Sequence, residues 1–173
     1  GYSVLVPNPF YRTRKASEPA PAPTANGVQS EAARNAMMNT MRSLNATTHV
    51  TDAKAFIPWL DAQASVDKRR KLATTGYCMG GPMVMRTAAT FPDRVGAAAT
   101  FHGGGLATDA ADSPHKLVPQ MKAQYLIAIA ANDDERDPKA KDTLKSAFAA
   151  ANLPAEIEVY VNTKHGWCPP DGA

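Results

Sequence analysis

The sequence predicts an α/β fold in which a mainly parallel sheet is covered by helices on both faces. Segments of strand character alternate along the chain with segments of helical periodicity. In addition, residues 95–101 and 124–130 are almost wholly apolar, which is typical of strands that are covered on both faces. A length of 173 residues suits one domain with one core, so we treat residues 1–173 as a single domain.

The first third of the chain is predicted to hold one strand, one loop and two helices. Residues 2–6 form the strand, and the proline-rich residues 13–26 form an irregular surface loop rather than a linker between domains. A helix follows that begins at Ser30 and Glu31, with Met37 and Met41 on its core-facing side.

The second helix is predicted over residues 50–64. Pro58 marks either a kink in this helix or the start of a new one, and Trp59 is expected to pack rather than to bind substrate. Further strands are predicted at residues 71–77, 95–101, 124–130 and 157–161, with helices at residues 79–90 and 139–151.

Composition excludes several classes of protein. Hydrophobic residues make up 44% and charged residues 20% of the chain, which is ordinary for a globular domain. The net charge is only +3, and the basic run at residues 68–71 precedes a strand as a solvated loop would, so no nucleic-acid partner is expected. No apolar run reaches the length of a membrane span. The two cysteines, Cys78 and Cys168, do not form a disulfide framework, which indicates a reducing compartment, by default the cytoplasm.

The strongest motif is Gly-Tyr-Cys-Met-Gly-Gly at residues 76–81, between a predicted strand and a predicted helix. This pattern is a nucleophile elbow with cysteine in place of serine, and it indicates an α/β-hydrolase fold. Such a tight reversal of the chain brings flanking backbones together, so glycine is expected to be required at Gly76 and Gly80. Cys78 is then the candidate nucleophile, and the backbone N–H of Met79 the first donor of an oxyanion hole. The competing interpretation is that Cys78 is only a small buried side chain.

Two further residues complete a candidate triad. His165 follows the last strand, and loops at the carboxyl ends of parallel strands converge on one edge of the sheet. The acid is expected after the strand between the elbow and the histidine, where Asp133 and Asp134 stand. Asp133 is preferred and Asp134 is the second choice.

The other histidines form no metal site. His49, His102 and His115 lack ligand spacing with cysteine or carboxylate residues, so no metal is predicted. His102 lies near the same edge of the sheet, where it either lines the pocket or serves as a hydrogen-bonded structural residue.

These motifs resemble those of the dienelactone hydrolase (carboxymethylenebutenolidase) family. The matching segments are residues 7–12, 76–81, 131–134 and 165–167, so the resemblance spans almost the whole chain. It implies a Cys-His-Asp triad that hydrolyses a small-molecule ester or lactone through a thioester acyl-enzyme, without a cofactor. It also implies that Arg12 binds a substrate carboxylate, and we expect His102 and Trp167 to line the same pocket.

The chain departs from this family in two respects. A second carboxylate-binding arginine is expected shortly after the histidine, where Cys168 and two prolines stand instead. Family members also have strands that precede the position corresponding to residue 1 of this chain, and a helix that follows the histidine loop. We therefore expect this chain to lack the N-terminal strands and the C-terminal helix. The strands that this chain lacks would carry the second oxyanion donor.

Two other functions remain open on the sequence. One is a non-catalytic relative that binds a small acid or a protein partner in the same pocket. The other is a redox protein that uses Cys78 with Cys168. The sequence does not predict the natural substrate or the oligomeric state.

Overall fold

The structure is a computed structural model that describes residues 2–15, 17–18 and 30–168. It contains five α-helices, four β-strands and one 3₁₀ helix in the described residues. In chain order these are α1 Glu31–Arg42, α2 Ala46–Asp61, β1 Leu72–Tyr77, α3 Gly80–Thr90, β2 Val95–Phe101, the 3₁₀ helix Pro114–Gln120, β3 Gln124–Ala130, α4 Ala131–Arg136, α5 Ala140–Ala150 and β4 Ala155–Tyr160.

The four strands form one parallel sheet in the order β1-β2-β3-β4. Neighbouring strands are in register, with Thr74 opposite Ala98 and Ile127 opposite Ile157. Because all four strands run in the same direction, the loops that follow them lie at one edge of the sheet. The predicted α/β fold with a parallel sheet is therefore confirmed.

The core lies on one face of this sheet, beneath α3 and α5. It joins Val84 and Met85 of α3 to Leu144 and Phe148 of α5 through the buried side chains of β2 and β3. On the opposite face Ala73, Thr75 and Ala97 are exposed to solvent. In the described part of the chain, helices therefore cover the face that carries α3 and α5, and the sequence predicts helices on both faces.

The predicted strand at residues 2–6 is wrong. These residues are not paired with the sheet, and Tyr2, Val4 and Val6 are 96%, 77% and 84% exposed. An apolar run forms a strand only when a neighbouring strand accepts its hydrogen bonds, and none does so here. Of the predicted loop at residues 13–26, residues 13–15 and 17–18 are irregular, and the others lie outside the described residues.

Helix α1 begins where the sequence predicts but does not reach the core. The Ser30 hydroxyl accepts the N–H of Ala33 at 3.2 Å and caps the helix. However, no residue of α1 is buried, and Met37 is 45% exposed. The prediction that these methionines fill the core is wrong, because among the described residues no element packs closely on the apolar side of α1.

Helix α2 starts earlier than predicted because Asn45 caps it. The Asn45 side chain accepts the N–H of Thr48 at 3.1 Å, and the Thr48 hydroxyl accepts the N–H of Asn45 at 2.8 Å. Pro58 lies inside the helix, so it is not a restart. Trp59 is 57% exposed, so the prediction that it packs is wrong. It lies two positions after the buried Ile57, about 200° further around the helix, and so outside the buried side of α2.

A buried polar pair joins α2 to α3. The Arg86 guanidinium donates to Nδ1 of His49 at 3.1 Å and to the carbonyl of Asp112 at 2.9 Å. Both side chains are more than nine-tenths buried. Burial first, and then the Arg86 charge, lower the pKa of His49 from 6.5 to about 4. His49 is therefore neutral in the folded protein at neutral pH.

This pair makes the stability of the fold depend on pH. Below pH 6.5 the unfolded chain binds a proton at His49 that the folded protein does not bind until about pH 4. The stabilisation is therefore complete above pH 6.5 and is lost as the pH falls toward 4, by about 3 kcal/mol in the free energy of unfolding. Urea denaturation between these pH values should show this loss in the wild type and a smaller loss in His49→Gln, whose amide oxygen can accept from Arg86. If the free energy of unfolding depended on pH identically in the two proteins, the pH dependence could not be assigned to His49.

The turn from β1 into α3 is as tight as the sequence predicts, but only one of its two glycines is sterically required. A Cβ atom on Gly76 would lie 2.5 Å from the carbonyl oxygen of Gly80 and 2.8 Å from a methyl group of Val84. A Cβ atom on Gly80 would meet nothing within 4 Å. The expectation that both glycines are required is wrong at Gly80, because its Cβ direction points into open space.

The two glycines form a matched pair for a test of the turn. Gly76→Ala should lower the free energy of unfolding by about 2 kcal/mol or more, because two backbones must move apart. Gly80→Ala should leave it within about 1 kcal/mol, since alanine is the better helix former. Thermal and urea denaturation measure both values, and equal destabilisation by the two substitutions would disprove this account.

Candidate active site

Cys78 occupies the turn itself, immediately after β1. Its φ of +50° is in the left-handed region, which is a strained conformation for a residue with a side chain. Its backbone N–H donates to the carbonyl of Phe101 at 3.1 Å, and its own carbonyl accepts the N–H of Gly81 at 3.1 Å. These bonds fix the cysteine between β2 and the start of α3, with its side chain partly exposed.

His165 lies in the turn after β4, and its ring reaches Cys78. The distance between Nε2 of His165 and Sγ of Cys78 is 3.2 Å. The backbone N–H of His165 donates to the side-chain oxygen of Asn132 at 2.8 Å. Gly166, with a φ of +89°, permits the turn directly after the histidine.

Asp133 binds the other nitrogen of the same ring. Its Oδ2 lies 2.7 Å from Nδ1 of His165. If the Nδ1–H donates to this carboxylate, Nε2 is left free to accept the thiol proton of Cys78. The structure thus brings three of the predicted residues, Cys78, His165 and Asp133, into one hydrogen-bonded chain.

Asp134 faces away from the histidine. Both of its oxygens bind Nζ of Lys141, at 2.9 and 2.7 Å. The two aspartates differ because residues 131–136 form the short helix α4, which the sequence analysis did not predict. Successive residues of a helix point in directions about 100° apart, so only one of the pair can reach His165.

The sequence analysis gave no role to two neighbours of the triad. Asn132 holds the backbone of His165, and Arg136 donates to the second oxygen of Asp133. A polar side chain beside the candidate acid could have indicated Asn132. Arg136 reaches Asp133 only because α4 places residues three positions apart on one side.

His102 lies beneath the histidine at the end of β2. It is 4% exposed and has a φ of +42°. Its ring centroid lies 4.7 Å from that of His165 and 5.1 Å from that of Trp167, both in edge-to-face contact. Burial first, and then the His165 charge, lower the pKa of His102. Neither ring nitrogen has a hydrogen-bond partner among the described residues.

Trp167 forms one side of the site. Its partly buried ring stacks on Tyr160 at a centroid distance of 5.9 Å and meets the ring of His102 on the other side. Trp167 therefore lies against His102, two positions after His165, and its role in the substrate pocket stays a prediction.

Arg12 lies in an ion pair with α2. Its guanidinium binds both oxygens of Asp52, and Tyr11 donates to the same carboxylate at 3.0 Å. The hydrogen bond with Asp52 raises the pKa of Arg12. Within the described residues, Arg12 makes no hydrogen bond to Cys78, His165 or Asp133, so its structural partner is α2.

No group of three or more potential metal ligands is present in residues 2–15, 17–18 and 30–168. Both Cys78 and Cys168 are free thiols. None of the helices described is long and apolar enough to cross a membrane.

Comparison with known proteins gives the same fold. The chain is 26% identical over 172 residues to a carboxymethylenebutenolidase of Rhodococcus opacus, covering 96% of this chain and 60% of that protein. The solved structure m3DLH superposes with a TM-score of 0.66 at 23% identity, over 86% of this chain and 59% of that one. A dienelactone hydrolase-like promiscuous phosphotriesterase from metagenomic libraries superposes with a TM-score of 0.64 at 22% identity, over 83% and 56%. The chain thus spans about 60% of the length of these proteins.

The family model matches the chain over its whole length. The model describes the dienelactone hydrolase family and aligns with residues 1–173. This match agrees with the parallel sheet, the strained cysteine at the turn after β1 and the histidine after β4. The chain belongs to the dienelactone hydrolase family.

Proposed function

We propose that this protein hydrolyses a small ester or lactone with Cys78 as nucleophile, His165 as base and acid, and Asp133 as the residue that orients the histidine. The observation that carries the proposal is the continuous chain of contacts from Sγ of Cys78 through the imidazole to Asp133, at 3.2 and 2.7 Å. Both distances suit direct proton transfer and orientation by hydrogen bonds.

In the first half of the reaction, His165 takes the thiol proton and the Cys78 sulfur attacks the substrate carbonyl. The bond from the carbonyl carbon to the alcohol oxygen then breaks, and His165 returns the proton to the leaving alcohol. In the second half, His165 takes a proton from water, which attacks the thioester. The carbon–sulfur bond breaks, and Cys78 recovers its proton as the acid leaves.

The negative charge that develops on the carbonyl oxygen of the substrate has to be stabilised by a hydrogen-bond donor. We propose the backbone N–H of Met79, the residue after the nucleophile, which has no hydrogen-bond acceptor among the described residues. The N-terminus of α3 directly beyond it adds a partial positive charge at the same point.

The substrate class follows from the family and from the surroundings of the triad. Carboxymethylenebutenolidase is the name of the Rhodococcus relative, so a lactone is a suitable candidate. Trp167 would form a wall of the pocket, with the buried ring of His102 packed against it and against His165. Arg12 would bind a substrate carboxylate only after leaving Asp52. Since Cys168 stands where a second arginine is expected, we propose a substrate other than dienelactone itself. No cofactor is needed, and the free thiols suit the cytoplasm.

Replacing the nucleophile tests the proposal directly. Cys78→Ala should lower kcat/KM for an activated ester such as p-nitrophenyl acetate by about 1000-fold or more, because no acyl-enzyme can form. Thermal unfolding should be nearly unchanged, since the side chain is partly exposed.

Cys168→Ser is the matched control for this substitution. It should retain nearly full activity, because Cys168 belongs to neither step of the reaction. Activity that survives in Cys78→Ala would disprove Cys78 as the nucleophile, and a wild type without activity on any activated ester would favour the non-catalytic binding protein. Loss of activity in Cys168→Ser would indicate redox chemistry between the two cysteines.

The adjacent aspartates provide a second matched pair. Asp133→Asn should lower kcat by about 100-fold or more, because an amide that donates to Nδ1 selects the wrong tautomer of His165. Asp134→Asn should change kcat by less than about 3-fold, since Asp134 binds Lys141 instead. Steady-state kinetics on the same ester measure both, and the reverse order of effects would assign the acid to Asp134.

A further inference from the structure

His102 is a buried polar residue whose nitrogens do nothing for the fold. A buried donor or acceptor without a partner costs about 1–3 kcal/mol. Neither nitrogen of this ring has a partner among the described residues, although the side chain is 96% buried. The contacts that the residue does make are made by the faces and edges of its ring.

The ring of His102 packs against two residues of the site, His165 of the proposed triad and Trp167. The ring meets His165 edge-to-face at 4.7 Å, with an interplanar angle of 63°, and meets Trp167 at 5.1 Å and 66°. Both distances lie in the range in which aromatic rings attract one another beyond simple burial. The side chain of His165 is 34% exposed, and where it is covered the ring of His102 is one of the groups in contact with it.

The backbone links His102 rigidly to the nucleophile. The carbonyl of Phe101, the preceding residue, accepts the N–H of Cys78 at 3.1 Å, and the N–H of His102 donates to Ala128 of β3 at 2.8 Å. The ring beneath His165 and the sulfur that His165 must reach are therefore carried by adjacent, hydrogen-bonded strand ends.

The hydrogen bonds to His165 leave one motion unrestrained. Asp133 binds Nδ1 and Asn132 accepts the backbone N–H, but the ring can still tilt by rotation about its side-chain bonds while Nδ1 stays near Asp133. Such a rotation would carry Nε2 away from Cys78. The ring of His102 occupies the space below the imidazole and limits this rotation.

We propose that His102 is a positioning residue, an aromatic floor that holds Nε2 of His165 within reach of Cys78. This inference rests on the proposed function and concerns a residue that touches neither the nucleophile nor the acid. It replaces the direct substrate contact expected of His102 with an action through His165. Burial also keeps the ring neutral, so it does not repel the imidazolium that forms above it.

Alkylation of Cys78 by iodoacetamide tests the inference without knowledge of the natural substrate. At mildly acidic pH an ordinary thiol is almost wholly protonated and reacts slowly, whereas a cysteine paired with histidine reacts fast. Peptide mass spectrometry separates Cys78 from Cys168, whose pKa is raised by burial and which serves as the internal control. His165→Ala gives the rate without any base.

Three substitutions of His102 separate packing from hydrogen bonding. His102→Ala should slow alkylation of Cys78 by about 10-fold or more and lower kcat for p-nitrophenyl acetate similarly, with KM within about 2-fold, because the base is misplaced. His102→Leu fills the space without an aromatic ring and should also lower the alkylation rate of Cys78 and kcat. This variant keeps the test valid if His102→Ala unfolds. His102→Phe restores an aromatic ring and should recover most of the rate, to within about 3-fold of the wild type.

The outcomes distinguish failure of this inference from failure of the proposed function. If wild-type Cys78 reacts no faster than Cys168, the triad is wrong and the positioning role with it. If wild-type Cys78 is reactive and His102→Ala leaves it so, only the positioning role is overturned. A folded His102→Phe that is as slow as His102→Ala would also overturn it, because the ring nitrogens would then carry the effect.

Discussion

The constraint on which the structure depends is that four parallel strands follow one another in sequence order across the sheet. This arrangement carries the chain back to the same edge after every strand. The residues that follow β1, β2, β3 and β4 at this edge are Cys78, His102, Asn132 with Asp133, and His165. Groups separated by up to 87 positions in sequence thus meet within hydrogen-bond distance. An antiparallel strand would place the residue that follows it at the opposite edge of the sheet.

The members of the site are held with different rigidity, and the difference suits their roles. Cys78 is fixed by a strained backbone between β2 and α3, where the sterically required Gly76 leaves room for the reversal. His165 lies in a turn and is held from several sides instead. Asn132 binds its backbone, Asp133 binds one nitrogen, and His102 packs beneath the ring. In the proposed reaction, a fixed nucleophile and a base that is supported but can still move would suit proton transfer in both halves.

Sequence alone predicted the parts of the fold whose signals are local. The bounds of β2 and β3 match because an apolar run between polar residues needs no knowledge of its neighbours. The start of α1 at Ser30 was likewise readable from a capping side chain. The strand at residues 2–6 and the buried methionines of α1 were wrong because both depend on a partner surface, which periodicity does not report. The sequence also left Asp133 and Asp134 as alternatives, because their separation depends on α4, a helix of only six residues.

The surroundings of Asp133 show why the acid can serve the histidine although it also binds an arginine. Arg136 is 70% exposed in its side chain, so water screens its charge and its hold on the carboxylate is weak. The side chain of Asp133 is only 16% exposed, and it presents a different oxygen to each partner, Oδ2 to His165 and Oδ1 to Arg136. Because the two partners bind different oxygens, the arginine does not compete with His165 for one acceptor atom. In the proposed reaction Arg136 would balance part of the charge of Asp133, and the carboxylate would remain the acceptor that orients the Nδ1–H of His165.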